Sequence, residues 1–197
     1  MRLLLIASAV GYLIGSIPFS FLVARLFGVK DVRMVGSGNV GATNVMRSAG
    51  KGPGILALVL DGLKGAGAVL IARGLWGSET EVCVAGLFAV IGHLYPVWLG
   101  FRGGKGVATG AGLFIPIAPA ALGVAVLVFL VTLGVFRFVS LASVAASLSL
   151  PLTAYLLGAS NTVALTALVA ALMVVVKHHA NIGRLMRGVE PRLGAKK

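Results

Sequence analysis

Acidic side chains are scarce in this sequence: 5 Asp and Glu stand against 17 Lys and Arg, a net charge of +12 over 197 residues. A carboxylate metal cage and a paired-carboxylate acid–base site both need several acids close together, and few are on offer. The one cysteine, Cys83, lies in an apolar run, which excludes a disulfide framework and a cysteine metal cluster and leaves a buried spectator thiol. Three histidines lack metal-ligand spacing, so no metal and no other cofactor is expected. Charge of either sign is thin, at 11% against 58% hydrophobic residues, and the mean hydropathy is +1.04. Such a chain cannot cover a globule with polar surface, and a bilayer is its natural solvent.

The excess of cations raises nucleic acid as a partner, but these residues sit in short loops between apolar runs. That placement suits positive-inside topology and anionic substrates or lipids, so membrane lipids and no nucleic acid are the expected partners. Arg2 ahead of Leu3 to Ala9 looks like the start of a signal peptide. The apolar pattern runs on to about Phe27 without a clear cleavage site, so it reads as a retained membrane helix. Two nucleotide motifs also fail. A Walker A loop would need Gly where Leu99 stands and Ser or Thr where Gly106 stands; Gly36, Gly38 and Gly41 fit GxGxxG but follow a long apolar helix and a basic turn, not a strand.

The chain turns on GHLYPVWLGFRGGKGVAT, Gly92 to Thr109, which joins two apolar segments. Successive glycines at Gly100, Gly103, Gly104 and Gly106 let backbone amides converge on an anion, and Arg102 and Lys105 supply charge. The stretch predicts a phosphate site at a membrane face. A second polar stretch, VRMVGSGNVGATNVMRSAG from Val32 to Gly50, is too polar to span and predicts a small polar cap or a solvated turn with a helix N-cap at Ser37 or Thr43.

Seven membrane helices are expected. The first covers about Leu3 to Phe27, with Gly15, Ser16 and Pro18 able to kink it. The second covers about Gly52 to Ala72 and places Asp61 and Lys64 on one face, facing a bundle interior or wet cavity. The third covers about Val82 to Leu99, ending in His93, Pro96 and an interfacial Trp98. A short fourth helix begins at Gly106, Pro116 and Pro119 make a turn, and the fifth runs from about Ala118 to Phe136. The sixth follows Arg137, Ser140 and Ser143 and reaches about Leu157; after Gly158 to Asn161 the seventh covers about Thr162 to Val176. Arg25, Lys30, Arg33, Arg47 and Lys51 put the first connection in the cytoplasm, so the N terminus is expected outside and the basic C terminus inside. In that ending, His178, Asn181 and Arg184 recur every three residues and are expected on one helical face.

Three stretches then carry a specific resemblance: SGNVGATNVMR (Ser37 to Arg47), the Gly92 to Thr109 stretch, and HHANIGRLMRGVE (His178 to Glu190). In order and content they resemble the signature motifs of the bacterial acyl-phosphate:glycerol-3-phosphate acyltransferases. DGLKG (Asp61 to Gly65) and RFVSLAS (Arg137 to Ser143) are similar too, and Arg102 stands where family members often have Lys. The resemblance covers essentially the whole chain. It implies an all-α inner-membrane enzyme, one domain over residues 1–197, with its active site facing the cytoplasm. The reaction implied is transfer of a fatty acyl group from acyl phosphate to the 1-hydroxyl of glycerol 3-phosphate, giving lysophosphatidic acid and phosphate.

On that basis Lys105, Arg47, His178, Asn181 and Ser37 are the expected catalytic set. Gly103, Gly104, Gly106, Asn39, Thr43, Asn44, His93, Arg102, Thr109, Ser140, Ser143 and Arg137 are expected to bind substrate or phosphate. Asp61, Lys64, Arg184 and Glu190 are expected to order loops. The proton of the attacking alcohol could go to His178, to His93 or to the leaving phosphate of the donor. A small transporter for phosphate compounds and a noncatalytic lipid-binding scaffold are the competing classes. The polar groups gather at one face and no internal repeat is evident, which weighs against the former.

Overall fold

Glycine and proline, more than polarity, set the helix boundaries. The computed structural model describes residues 1–194 and is all-helical, with no strand among the described residues. The last three residues of the basic ending, 195–197, lie outside that range. The chain forms two compact units, Met1–Pro116 and the part from Ile117 onward.

In the first unit, α1 (Arg2–Ser16) and α2 (Phe19–Leu26) are one apolar crossing broken at Ile17 and Pro18. Proline brings no amide to the ladder, which is why the break falls there. After α3 (Ala42–Ala49) and the long α4 (Lys51–Leu75), α5 (Glu79–Leu94) returns and packs along α1. That packing is backbone on backbone: a Cβ at Gly11 or Gly15 would run into the main chain of Ala85 or Ala89, and one at Gly92 into that of Tyr12 and Ser16. Small residues allow helices to approach closely where lipid offers no hydrophobic drive between them. The short α6 (Val107–Ile117) lies equally close to α4, with Gly65 against the backbone of Thr109 and Gly112 against that of Gly62.

The polar stretch between α2 and α4 is held down by apolar residues: Val32, Val40 and Val45 are buried with Val23, Ala24 and Ala57. Neither Ser37 nor Thr43 caps α3. Gly41 occupies the N-cap position without a side-chain bond.

The second unit contains α7 (Pro119–Phe136), α8 (Val139–Leu156), α9 (Asn161–Lys177) and α10 (His179–Met186). Pro119 starts α7 where a missing amide costs nothing. The best 18-residue window of α7 has a mean hydropathy of 2.5 and is only 11% buried, so its apolar surface faces outward to lipid. Among the described residues five helices, α1 with α2 counted as one, are long and apolar enough to cross a membrane, and a sixth crossing results if α9 and α10, bent by 58° at His178, count as one. The expected fourth helix is the 11-residue α6, too short for that test.

Candidate active site

Inside the first unit a carboxylate is buried in a helix meant for lipid. Asp61 is 1% exposed and Lys64, one turn later on α4, is 5% exposed. Lys64 Nζ lies 2.8 Å from Asp61 Oδ1 and donates at 2.7 Å to the carbonyl of Ile17, at the break between α1 and α2, which also accepts from the Phe19 amide at 3.0 Å. Ser20 Oγ donates to Asp61 Oδ2 at 2.5 Å, and His93 Nδ1 stands 3.5 Å from Oδ1. A buried charge survives only when paired and hydrogen-bonded, and this one is met from α2, α4 and α5. Beside the cluster is a narrow recess of about 10 Å³, room for a water-sized group, lined by Ser16, Pro18, Ser20, Val40, Asp61, Lys64, His93, Pro96, Leu99, Gly103 and Gly104.

The glycine turn closes over this recess, but not as an open nest. The Gly103 amide donates to the Leu94 carbonyl at 3.2 Å and the Gly104 amide to the His93 carbonyl at 3.1 Å. Those two N–H groups are used inward, which corrects the expectation that they converge on an anion. Gly103 and Gly104 are glycines for closeness: a Cβ on Gly103 would meet the His93 carbonyl, and one on Gly104 would meet His93 Nε2 and the Val40 carbonyl. Gly106, at φ +81°, is where the turn needs the left-handed region. Lys105 is partly buried between Gly104 and the start of α6, and Arg102 is exposed. Thr109 is fully buried and donates to the Asp61 backbone carbonyl at 3.0 Å, so it ties α6 to α4 instead of reaching substrate.

Asn44 also proves to be a holding residue. Its amide nitrogen donates to the carbonyls of Val32 (2.8 Å) and Val35 (3.0 Å), and its oxygen accepts from the Ser37 amide at 2.9 Å. At 2% exposure it has no face left for phosphate, contrary to expectation. It shapes the loop that presents Ser37, which is exposed, with Asn39 and Thr43 half-buried beside it. Arg47 is exposed in the last turn of α3. In the same loop Arg33 forks onto Asp31, with Nη2 2.7 Å from Oδ2, and this hydrogen-bonded partner holds the Asp31 carboxyl below its ordinary range.

In the second unit the expected residues gather on Glu190. Ser140 Oγ donates to its Oε1 at 2.7 Å, Asn181 Nδ2 to the same oxygen at 2.6 Å, and Arg184 Nε to Oε2 at 2.7 Å. Burial pushes this carboxyl upward, but the bonds from Ser140, Asn181 and Arg184 outweigh it and leave Glu190 below the usual glutamate value. Asn181 and Arg184 share a face of α10, as the spacing predicts; His178 stands at the bend before it. His178 is 3% exposed, with Nδ1 2.8 Å from the Val174 carbonyl. A carbonyl only accepts, so Nδ1 carries the proton and Nε2 is the basic nitrogen of the neutral ring. Ser143 Oγ donates back to the Val139 carbonyl one turn earlier. Arg137 ends α7 at φ +61° and donates to the Leu193 carbonyl at 3.0 Å.

A family model described as glycerol-3-phosphate acyltransferase matches residues 5–188. The chain belongs to that family. A glycerol-3-phosphate acyltransferase of Agrobacterium fabrum is 46% identical over 98% of this chain and 94% of the relative, and one of Mesorhizobium japonicum is 48% identical over 98% and 97%. Among solved structures the fold is similar to PlsY (YgiH), an integral membrane glycerol 3-phosphate acyltransferase. Its glycerol 3-phosphate form gives a TM-score of 0.91 at 43% identity over 97% of this chain and 96% of that one; its lysophosphatidic acid form gives 0.90 at 41% over 97% and 95%. This family member is accordingly an all-helical integral membrane protein. Sequence reasoning missed Ser20, whose partner Asp61 is 41 residues away and whose only local signal is its place just past Pro18.

Proposed function

We propose that the chain is an acyl-phosphate:glycerol-3-phosphate 1-O-acyltransferase of a bacterial inner membrane, with its active site facing the cytoplasm. The observation that carries this is the family match along nearly the whole chain. That match runs across the division between the two compact units, which supports one acyltransferase domain over residues 1–197. Seven crossings follow if α6 is a short one and α9 with α10 a bent one, and the cationic first connection then places the N terminus outside and the C terminus inside.

In the reaction the 1-hydroxyl oxygen of glycerol 3-phosphate bonds to the acyl carbon while the bond from that carbon to the phosphate oxygen breaks. The leaving phosphate takes the alcohol proton, since the donor is already activated and brings its own base. His178 and His93 are the alternative acceptors. Lys105, carried on the turn of Gly103, Gly104 and Gly106, holds the phosphate of glycerol 3-phosphate, and Lys105 and Arg47 stabilise the charge that develops. Ser37 and Asn181 fix phosphate and hydroxyl oxygens, with Asn39, Thr43, Arg102, Arg137 and Ser140 as further polar contacts. Apolar helix walls suit the acyl tail.

The test is metal-free turnover of purified protein in lipid with palmitoyl phosphate and glycerol 3-phosphate, following lysophosphatidic acid and phosphate together. Equal formation of both is expected, reduced roughly a hundredfold or more in Lys105→Ala. Substrate accumulation in sealed vesicles without chemistry would instead establish a transporter.

A further inference from the structure

The turn has no side chain at Gly103 or Gly104, the two positions that pack most closely on α5, so its neighbours set the height of the backbone that leads into Lys105. Two backbone bonds, from Gly103 to Leu94 and from Gly104 to His93, fasten the turn from below. The third restraint is a wall. The His93 imidazole presents Nε2 to Gly104 so closely that a methyl group there would collide with it. The other ring nitrogen, Nδ1, stands 3.5 Å from Asp61 Oδ1. Asp61 is itself fixed by Ser20 and Lys64, and Lys64 by the Ile17 carbonyl, so the wall stands on a buried foundation.

We infer that Asp61 and His93 are positioning residues for Lys105: the carboxylate holds the imidazole against Gly104, and the ring sets the height of the turn that carries the lysine. This rests on the acyltransferase reading above. Lys105 follows Gly104 directly, so a shift of Gly104 moves the amine with it. A misplacement of about 1 Å at a group that holds a substrate can lower kcat/KM for that substrate by up to the order of a hundredfold, here through KM.

Three variants of the full chain in lipid test this by steady-state kinetics in both substrates. His93→Ala removes the wall. His93→Asn keeps an N–H where Nδ1 stands, sparing the buried carboxylate, and removes only the ring edge at Gly104. Asp61→Asn with Lys64→Met removes the foundation without leaving a lone buried charge. All three should raise KM for glycerol 3-phosphate about tenfold or more, while KM for palmitoyl phosphate stays within about twofold. A merely structural role lowers kcat through a smaller active fraction and leaves both KM values alone, and that result in His93→Asn overturns the inference. Inactive wild-type protein fails the acyltransferase reading itself and this inference with it; active wild type with unshifted variants overturns this inference alone.

Discussion

Lys64 Nζ donates to the Ile17 carbonyl across 2.7 Å and so braces α4 against the break beside Pro18 in the first crossing. That carbonyl also accepts from the Phe19 amide at 3.0 Å, so Lys64 supplies its second bond, and the same ammonium neutralises Asp61 2.8 Å away. Lys64→Met removes both services and leaves Asp61 as a buried anion without its cation. The expected loss is roughly 3–5 kcal/mol of stability. A thermal melt of the purified variant checks it, and a midpoint equal to wild type would show that the pair does not hold the broken helix.

Asn44 supplies two donors and one acceptor to a loop whose regular structure is a single 3-10 turn, Val32–Met34. Asn44→Ala takes away the side-chain partner of the Val32 carbonyl and the Ser37 amide, leaves the Val35 carbonyl with the Gly38 amide alone, and should destabilise by roughly 1–3 kcal/mol. Asn44→Asp keeps an acceptor for Ser37 but turns an anionic oxygen toward two carbonyls, so it should be no better than alanine. Hydrogen exchange at the Ser37 amide reads this directly: it should quicken in Asn44→Ala. Aspartate behaving like wild type would sink the assignment.

Close helix approach makes a contrast among glycines of one protein. Gly112→Ala would push a methyl into the Gly62 carbonyl, and Gly92→Ala one into the Tyr12 carbonyl, whereas Gly67 on α4 has nothing within 4 Å of its missing Cβ. The first two should lose roughly 1–3 kcal/mol or fail to fold, because backbone cannot step aside. Gly67→Ala should melt like wild type. Equal melting of all three would mean the helices have room between them.

Those outcomes bear on what could be read in advance. Gly15 and Pro18 announce the break in the first crossing, and Pro116 and Pro119 the turn before α7, because local backbone chemistry alone decides them. Asp61 and Lys64 announce a polar interior, since a spacing of three puts both on one face. Which carbonyl Lys64 meets and that Ser20 reaches Asp61 are tertiary facts with no local trace. The same holds for the glycine turn: composition shows that its amides can converge, but not that Leu94 and His93 claim two of them. Asn44 and Thr109 resembled ligands of phosphate for a related reason. A polar side chain that holds a loop and one that holds a substrate carry the same atoms, and only the partner tells them apart.

Glu190 gives a test by pH. Its side chain is 6% exposed and accepts from Ser140, Asn181 and Arg184, which keep its folded-state value below that of an unfolded glutamate. A carboxylate depressed on folding binds fewer protons folded than unfolded, so it stabilises fully above the unfolded value of about 4.3. That contribution is lost as pH falls through the lower folded value. Glu190→Gln should therefore melt below wild type at neutral pH, and the difference should shrink as both are moved into acid. Asp31 is depressed as well, by Arg33, but it is common to both proteins and cancels in the difference. A gap that stays constant into acid would mean that Glu190 works by shape alone, and that its charge does not hold Asn181 and Arg184 in place.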